Sequence, residues 1–212
     1  QARAPTNSTY MAKDFGRKLL ENWDKFLNGV SRTVDFLEQE RVFDATRLPS
    51  DVVIPVLVAL WGIAPQGLDA EGRARTILQK YLWRAFFSNR YEKSTNSRAL
   101  TDFNELKTLI SGTDNSRPII FDQAMHPLAA GWPVRKDRLA RAILALALKN
   151  GGIDLADGSA VTRENLAKRE YHHLFPSAHL TRLSVPDDRI YLSLNCALVT
   201  WRTNRNISDK DP

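Results

Sequence analysis

The chain has 212 residues, with 30 Lys and Arg against 24 Asp and Glu, a net charge of +6 and a pI near 9.6. That length holds one or two domains with a real apolar core, and the basic balance favours a polyanionic partner without naming one. A single cysteine, Cys196, excludes an internal disulfide and a cysteine-based zinc site, and suits a reducing compartment.

Small and polar residues fill 1–11, which read as a flexible segment. From Phe15 the apolar positions Leu19, Trp23, Phe26, Val30, Val34 and Leu37 recur at spacings of four and three. They predict one long amphipathic helix whose aromatic stripe is core. A break at Leu48-Pro49-Ser50 leads to an apolar helix from Asp51 to Trp61, with Ser50 as its N-cap. The surrounding run Val52–Ala64 is the longest apolar stretch, interrupted by Pro55 and short of the ~20 residues a membrane span requires. No signal peptide is visible, so a cytoplasmic protein with no membrane partner is expected. Pro65-Gln66-Gly67 forms a turn, Asp69 caps a helix running to Arg90, and Ser94–Ser97 is a loop before Leu100, Phe103, Leu106 and Ile110 resume helical spacing. Residues 111–132 read as a connection with a short strand at Ile119 to Phe121. Pro133 then opens a helix carried by Leu139, Ile143, Leu146 and Ala147 to a C-terminal stop at Asn150-Gly151-Gly152. That double glycine divides an α-helical domain, 12–150, from a C-terminal domain, 151–212. No internal repeat and no Gly-x-x-x-x-Gly-Lys-Ser phosphate loop is present, so nothing here binds GTP or ATP unaided.

Basic side chains concentrate in 73–98, as Arg73, Arg75, Lys80, Arg84, Arg90, Lys93 and Arg98 against Glu92, and again at Arg135, Lys136, Arg138 and Arg141 around Asp137. Each cluster reads as a solvated helix face or as a phosphate-binding surface whose grip weakens with salt. Arg84 and Arg90 are the candidates there for nucleic-acid contact.

The chemistry-bearing residues lie at the C-terminal end. Arg169-Glu170-Tyr171-His172-His173-Leu174-Phe175-Pro176 is followed by Asn195-Cys196-Ala197-Leu198-Val199-Thr200 and then by Thr203-Asn204-Arg205-Asn206-Ile207. Tyr171 to Phe175 and Ala197 to Trp201 suit short strands, and Asn204 falls in a polar stretch able to make one or two helical turns. Adjacent strand residues point to opposite faces, so His172 and His173 share a pocket only where the strand twists or ends, as Pro176 permits. Vicinal histidines and turn asparagines also occur with no function. His126 and His179 belong to no such set and read as surface or loop residues, and Cys196 as a buried small hydrophobe.

This tail resembles the HNH nucleases, and specifically the C-terminal nuclease domain of the GmrSD type IV restriction family, which carries His-His-hydrophobic-Phe-Pro and a later Asn-rich segment ending in Pro. The resemblance covers residues 150–212. Tyr81-Leu82-Trp83 through Arg90-Tyr91 is similar, more weakly, to what precedes that domain. The resemblance implies a mainly α protein whose helical domain is followed by a small ββα-metal (HNH) finger. It implies a metal-dependent DNA endonuclease acting as a nickase, the C-terminal effector half of a modification-dependent or phosphorothioate-sensing antiphage restriction protein. The N-terminal NTPase-like sensor domain of that family, with its Asp-Gly-Gln-Gln-Arg motif, is missing from this chain and is an expected partner, as is double-stranded DNA. By the same resemblance His173 is the general base, and Asn195 ties the connecting loop and orients the His173 ring. His172 and Asn204 hold one Mg²⁺ or Mn²⁺ ion. Arg205 and Lys210, close to Asn204, are candidates to hold the scissile strand by its phosphates, and surface solvation explains either equally well. Many HNH enzymes have Asp where His172 stands, and a nitrogen ligand suits Mn²⁺ better than Mg²⁺. The reading from another class is a non-catalytic helical DNA-binding or interaction module with a degenerate finger; RNA is a third possible substrate.

Overall fold

The computed structural model describes residues 4–127, 130–133 and 137–207. Two units emerge, Gln1–Gln39 with Ser50–Met125, and Glu40–Pro49 with His126–Pro212.

In the first unit the chain forms α1 (Asn7–Tyr10), α2 (Phe15–Glu21), α3 (Trp23–Gln39), α4 (Val53–Ile63), α5 (Leu68–Phe87) and α6 (Thr95–Ser111). The long helix expected from Phe15 is therefore two. At Asn22 the backbone leaves helical geometry, and the Asn22 amide donates to the Lys18 carbonyl at 2.9 Å instead of the chain running on. The expected aromatic core stripe is also displaced, since Trp23 is 42% and Phe26 44% exposed. What α3 buries is Gly29, Thr33 and Phe36. Close approach to α4 explains this choice: a Cβ on Gly29 would collide with the Val58 carbonyl oxygen, and one on Gly62 would lie 2.6 Å from the Lys25 carbonyl oxygen. Glycine-to-backbone contact sets the face, and Phe26, Val30, Val34, Val58 and Phe103 are left lining an open apolar groove of about 770 Å³.

α4 starts at Val53, with Val52 rather than Ser50 at its cap, and buries Val56, Leu57, Leu60 and Trp61. α5 follows Gly67, whose φ of 108° suits glycine, and buries Ala74, Leu78, Tyr81, Leu82 and Ala85 at helical spacing before ending at Phe87. The strand expected at Ile119 to Phe121 is a 3₁₀ turn, Ile119–Asp122. With no partner strand there, its backbone groups pair locally, Phe121 N donating to Pro118 O at 2.9 Å. Between α5 and α6, Arg90 donates to Asp102 at 2.7 Å and the Tyr91 hydroxyl donates to the other Asp102 oxygen at 2.6 Å.

The second unit contains α7 (Arg138–Lys149), α8 (Arg163–Leu166), β1 (Arg169–His173), α9 (Ser177–Arg182), α10 (Asp187–Ile190), β2 (Cys196–Thr200) and α11 (Trp201–Ile207). α7 begins after Asp137, whose carboxylate accepts from Ala140 N at 3.1 Å and Gly131 N at 2.9 Å, rather than at Pro133. β1 and β2 pair antiparallel, with His172 opposite Ala197 and His173 opposite Cys196. Two five-residue strands bury too little alone to be stable. Leu148 of α7 completes their core with Val161, Leu166 and Leu198, and Phe43 and Tyr171 pack against it. Helix α7 and residues 40–49 thus group with the C-terminal segment, whereas the double glycine at Gly151 places them with the helical domain. The chain is mainly α, and the described residues form one two-stranded sheet. Among the described residues no helix is long and apolar enough to cross a membrane.

Gly29→Ala must push α3 off α4, and we expect it to destabilise the protein by ~1–3 kcal/mol through overpacking. Gly72→Ala, in α5 with nothing within 4 Å, should stabilise by about 0.5–1 kcal/mol. Urea denaturation midpoints read both, and equal midpoints would refute glycine-controlled packing.

Candidate active site

Alternation along β1 sends Glu170 and His172 to one face and Arg169, Tyr171 and His173 to the other. α11 follows β2 without a loop and brings Asn204 over the first of these faces. His172 Nδ1 lies 2.7 Å from Asn204 Oδ1, and Asn204 Nδ2 donates to the Glu170 carboxylate. A carboxamide oxygen only accepts, so in this arrangement the proton of a neutral His172 sits on Nδ1.

What fixes α11 against β1 is Asp154, 1% exposed. Its carboxylate accepts from Arg169 Nη1 at 2.9 Å, from Thr200 N at 2.6 Å and from the Thr203 hydroxyl at 2.6 Å. Thr200 adds the N-terminal cap, its Oγ1 accepting from Thr203 N at 3.1 Å. Burial alone would raise the Asp154 pKa, but hydrogen bonds from Thr203, Thr200 and Ala156 outweigh it and hold the carboxyl below its ordinary value.

His173 occupies the opposite face. Its ring stacks on Trp132 at 4.0 Å between centroids and meets the edge of Tyr191 at 5.3 Å. Nε2 is buried with no hydrogen-bond partner, as is Nε2 of His172. Burial, and then the neighbouring His172, lower the His173 pKa below its usual 6.5, so the imidazole is neutral at pH 7. Cys196, opposite it in the sheet, has its thiol pushed up to about 12 by burial and cannot serve as a nucleophile at neutral pH.

Asn195 acts below both histidines. Its Oδ1 accepts from Phe175 N at 2.8 Å, its Nδ2 donates to Phe175 O and Ile190 O at 3.1 Å each, and its carbonyl accepts from Leu174 N at 2.9 Å. Those contacts pin the turn that ends β1. None of them reaches the His173 ring, so the ring-orienting part expected of Asn195 falls to Trp132 and Tyr191. Because the strand stops at His173 and the chain turns through Pro176, both histidines border one open cleft of about 450 Å³, together with Tyr171, Asn204 and Arg205. Three of the four expected chemical residues, His172, His173 and Asn204, therefore border the cleft, and Asn195 holds the turn beside it.

The expected nucleic-acid contacts divide. Arg205 is exposed, lines the cleft and lies over the Trp201 ring at 4.7 Å. Lys210 lies outside the described residues, as do Arg135 and Lys136. Arg90 is 7% exposed and committed to Asp102, and Arg84 donates to the Gln123 carbonyl at 3.0 Å. The Arg90 guanidinium is therefore taken up inside the fold, whereas Arg84 is half-buried with one nitrogen on a backbone carbonyl. Much of the 73–98 stretch is likewise engaged in the fold, with Arg75 on Gln39, Lys80 over the Phe121 ring at 4.4 Å and Arg98 on the Arg90 carbonyl. A run of cations reads the same whether it meets solvent, phosphate or its own protein. His126 is exposed, and neither it nor His179 lines the cleft.

As a cation site, one imidazole nitrogen and one carboxamide oxygen form a sparse donor set. Among the described residues no group of three or more His, Cys, Asp and Glu side chains is placed to hold a metal. The pair nonetheless fits: its 2.7 Å separation is near the roughly 3 Å between adjacent oxygen or nitrogen ligands around a six-coordinate ion with ~2.1 Å bonds. An open cleft leaves room for water and phosphate to complete the shell, and Glu170 stands immediately behind. Sequence reasoning passed over Glu170, although its place two residues before His172 puts it on the same face. Trp132 and Asp154 carried no such signal, being distant in sequence from the motif.

An uncharacterized protein of Methanocaldococcus jannaschii is 25% identical over 142 residues, which is 64% of this chain. The chain spans 24% of that relative's length. No family model matches the sequence, and no solved structure matches it.

In metal-free protein the His173 ring should titrate below 6.5, and Trp132→Ala, by readmitting water, should raise its pKa toward that value. The folded pKa being the lower one, the unfolded chain binds the proton first as pH falls below about 6.5, so this residue costs stability on acidification. NMR titration of the imidazole Cε1–H reads the shift; an unchanged pKa in Trp132→Ala would show that the stacked ring does not desolvate His173.

Proposed function

We propose that the C-terminal β1–β2–α11 finger is a one-metal HNH endonuclease that nicks double-stranded DNA. The observation that carries this reading is the meeting of His172 and Asn204 across β1 and α11 at 2.7 Å, with His173 bordering the same cleft. Phosphodiester hydrolysis needs a deprotonated nucleophile, neutralised phosphate charge and a stabilised leaving oxygen. A Mn²⁺ or Mg²⁺ ion held by His172 Nδ1 and Asn204 Oδ1 would supply the second and third. The pair lacks a direct carboxylate, which favours Mn²⁺.

The chain's own residues supply the first. His173 Nε2 is sealed off without a partner, which leaves Nδ1 as the nitrogen through which the ring takes a proton from a water in the cleft. Trp132 and Tyr191 hold the ring plane, and Asn195 holds the turn on which His173 ends. Arg205 at the cleft edge contacts phosphate without reading bases. One finger cuts one strand, so a nick is the product of a monomer. On the resemblance of its tail to the GmrSD nuclease domain, the chain would be the effector half of a cytoplasmic, modification-dependent antiphage restriction protein, with sensing in an N-terminal NTPase-like domain.

Incubation of the full chain with supercoiled plasmid and Mn²⁺ or Mg²⁺ should yield open circles. His173→Ala should slow this by ~10²–10⁴-fold while keeping the Mn²⁺-dependent rise in melting temperature, and His172→Ala should lose both. Equal nicking by wild type and His173→Ala rejects the base; binding of plasmid without any nicking favours a degenerate DNA-binding finger, and selective cleavage of RNA would reassign the substrate.

A further inference from the structure

We propose that Glu170 is a positioning residue that sets which end of the Asn204 carboxamide faces the cation position. The inference rests on the nuclease reading above. A carboxamide has two ends of opposite character: the oxygen ligates a cation, whereas the NH₂ group repels one. In an open cleft the two orientations differ by a simple flip about the last side-chain bond. His172 does not decide between them, because a neutral imidazole nitrogen donates or accepts according to its tautomer. Once Nδ1 ligates a cation it must be bare, and its hydrogen bond to Asn204 Oδ1 is lost altogether.

Glu170 does decide. An ionised carboxylate only accepts, so it takes the NH₂ end of Asn204 and turns the oxygen toward His172. The geometry is fixed by the fold: Glu170 and His172 are two residues apart on β1 and share a face, and the Asp154 network holds α11 so that Asn204 bridges them. Partners that orient a ligand in this way typically govern metal affinity by 10–100-fold.

The test is a double-mutant cycle on the full chain, with Mn²⁺ binding followed by electron paramagnetic resonance titration and by the metal-dependent rise in melting temperature. Glu170→Ala should weaken Mn²⁺ binding by ~10–100-fold with the metal-free melting temperature kept. Glu170→Gln, which still accepts from Asn204 but also permits the flipped amide, should fall between it and wild type. Asn204→Asp has an oxygen at both ends and needs no orienting, so adding Glu170→Ala to it should weaken binding no further. Wild-type affinity in Glu170→Ala overturns the inference, as does an equal loss in the Asn204→Asp background, which would make Glu170 a direct ligand or a structural residue. If wild type shows no Mn²⁺ binding that His172→Ala abolishes, the nuclease reading falls instead.

Discussion

Asp154 and the hydrogen bonds that converge on it are what the β1–β2–α11 segment depends on. A two-stranded sheet with a seven-residue helix appended has too little apolar surface to define the angle between them. The buried carboxylate supplies that definition by binding three elements at once: Arg169 on β1, the Thr200 amide at the end of β2 and the Thr203 hydroxyl on α11. A buried charge is costly unless its lone pairs are filled, and here they are. Further partners, Ser159 and the Ala160 carbonyl, complete the Arg169 guanidinium.

From that frame the strand divides its labour by parity. Even positions Glu170 and His172 face α11 and form a hydrogen-bonded row with Asn204. The odd position His173 stacks on Trp132, meets the edge of Tyr191 and is partly desolvated. Two adjacent imidazoles are thereby given different environments, one polar and directional, the other aromatic and desolvating. They meet again only because the strand ends at His173, where Asn195 and Pro176 turn the chain away and open the cleft.

Length and burial decided much of the disagreement elsewhere. The periodicity from Phe15 to Leu37 reads as one helix with one apolar face, yet backbone approach at Gly29 and Gly62 selects a different face and leaves Trp23 and Phe26 half exposed. Helix packing is governed by the smallest residues as well as by the largest, and a pattern of large apolar side chains does not register them. The 73–98 cations illustrate the same limit for charge, since Asp102, buried in α6, claims Arg90 from twelve residues away.

The sequence by itself determined the local matters: mainly helical segments, two short strands read one or two residues away from the observed Arg169–His173 and Cys196–Thr200, a short helix after them, and His172, His173, Asn195 and Asn204 as candidate side chains. Spacing, turn residues and side-chain chemistry are written residue by residue, so these could be read without coordinates. Tertiary structure alone decided that α7 completes the core beside the β1–β2 sheet, that Asp154 anchors α11, that Glu170 holds Asn204 and that Trp132 covers His173. Each of these joins residues far apart along the chain or on different elements, and which of many possible partners meet is settled by packing the whole unit rather than by any local pattern.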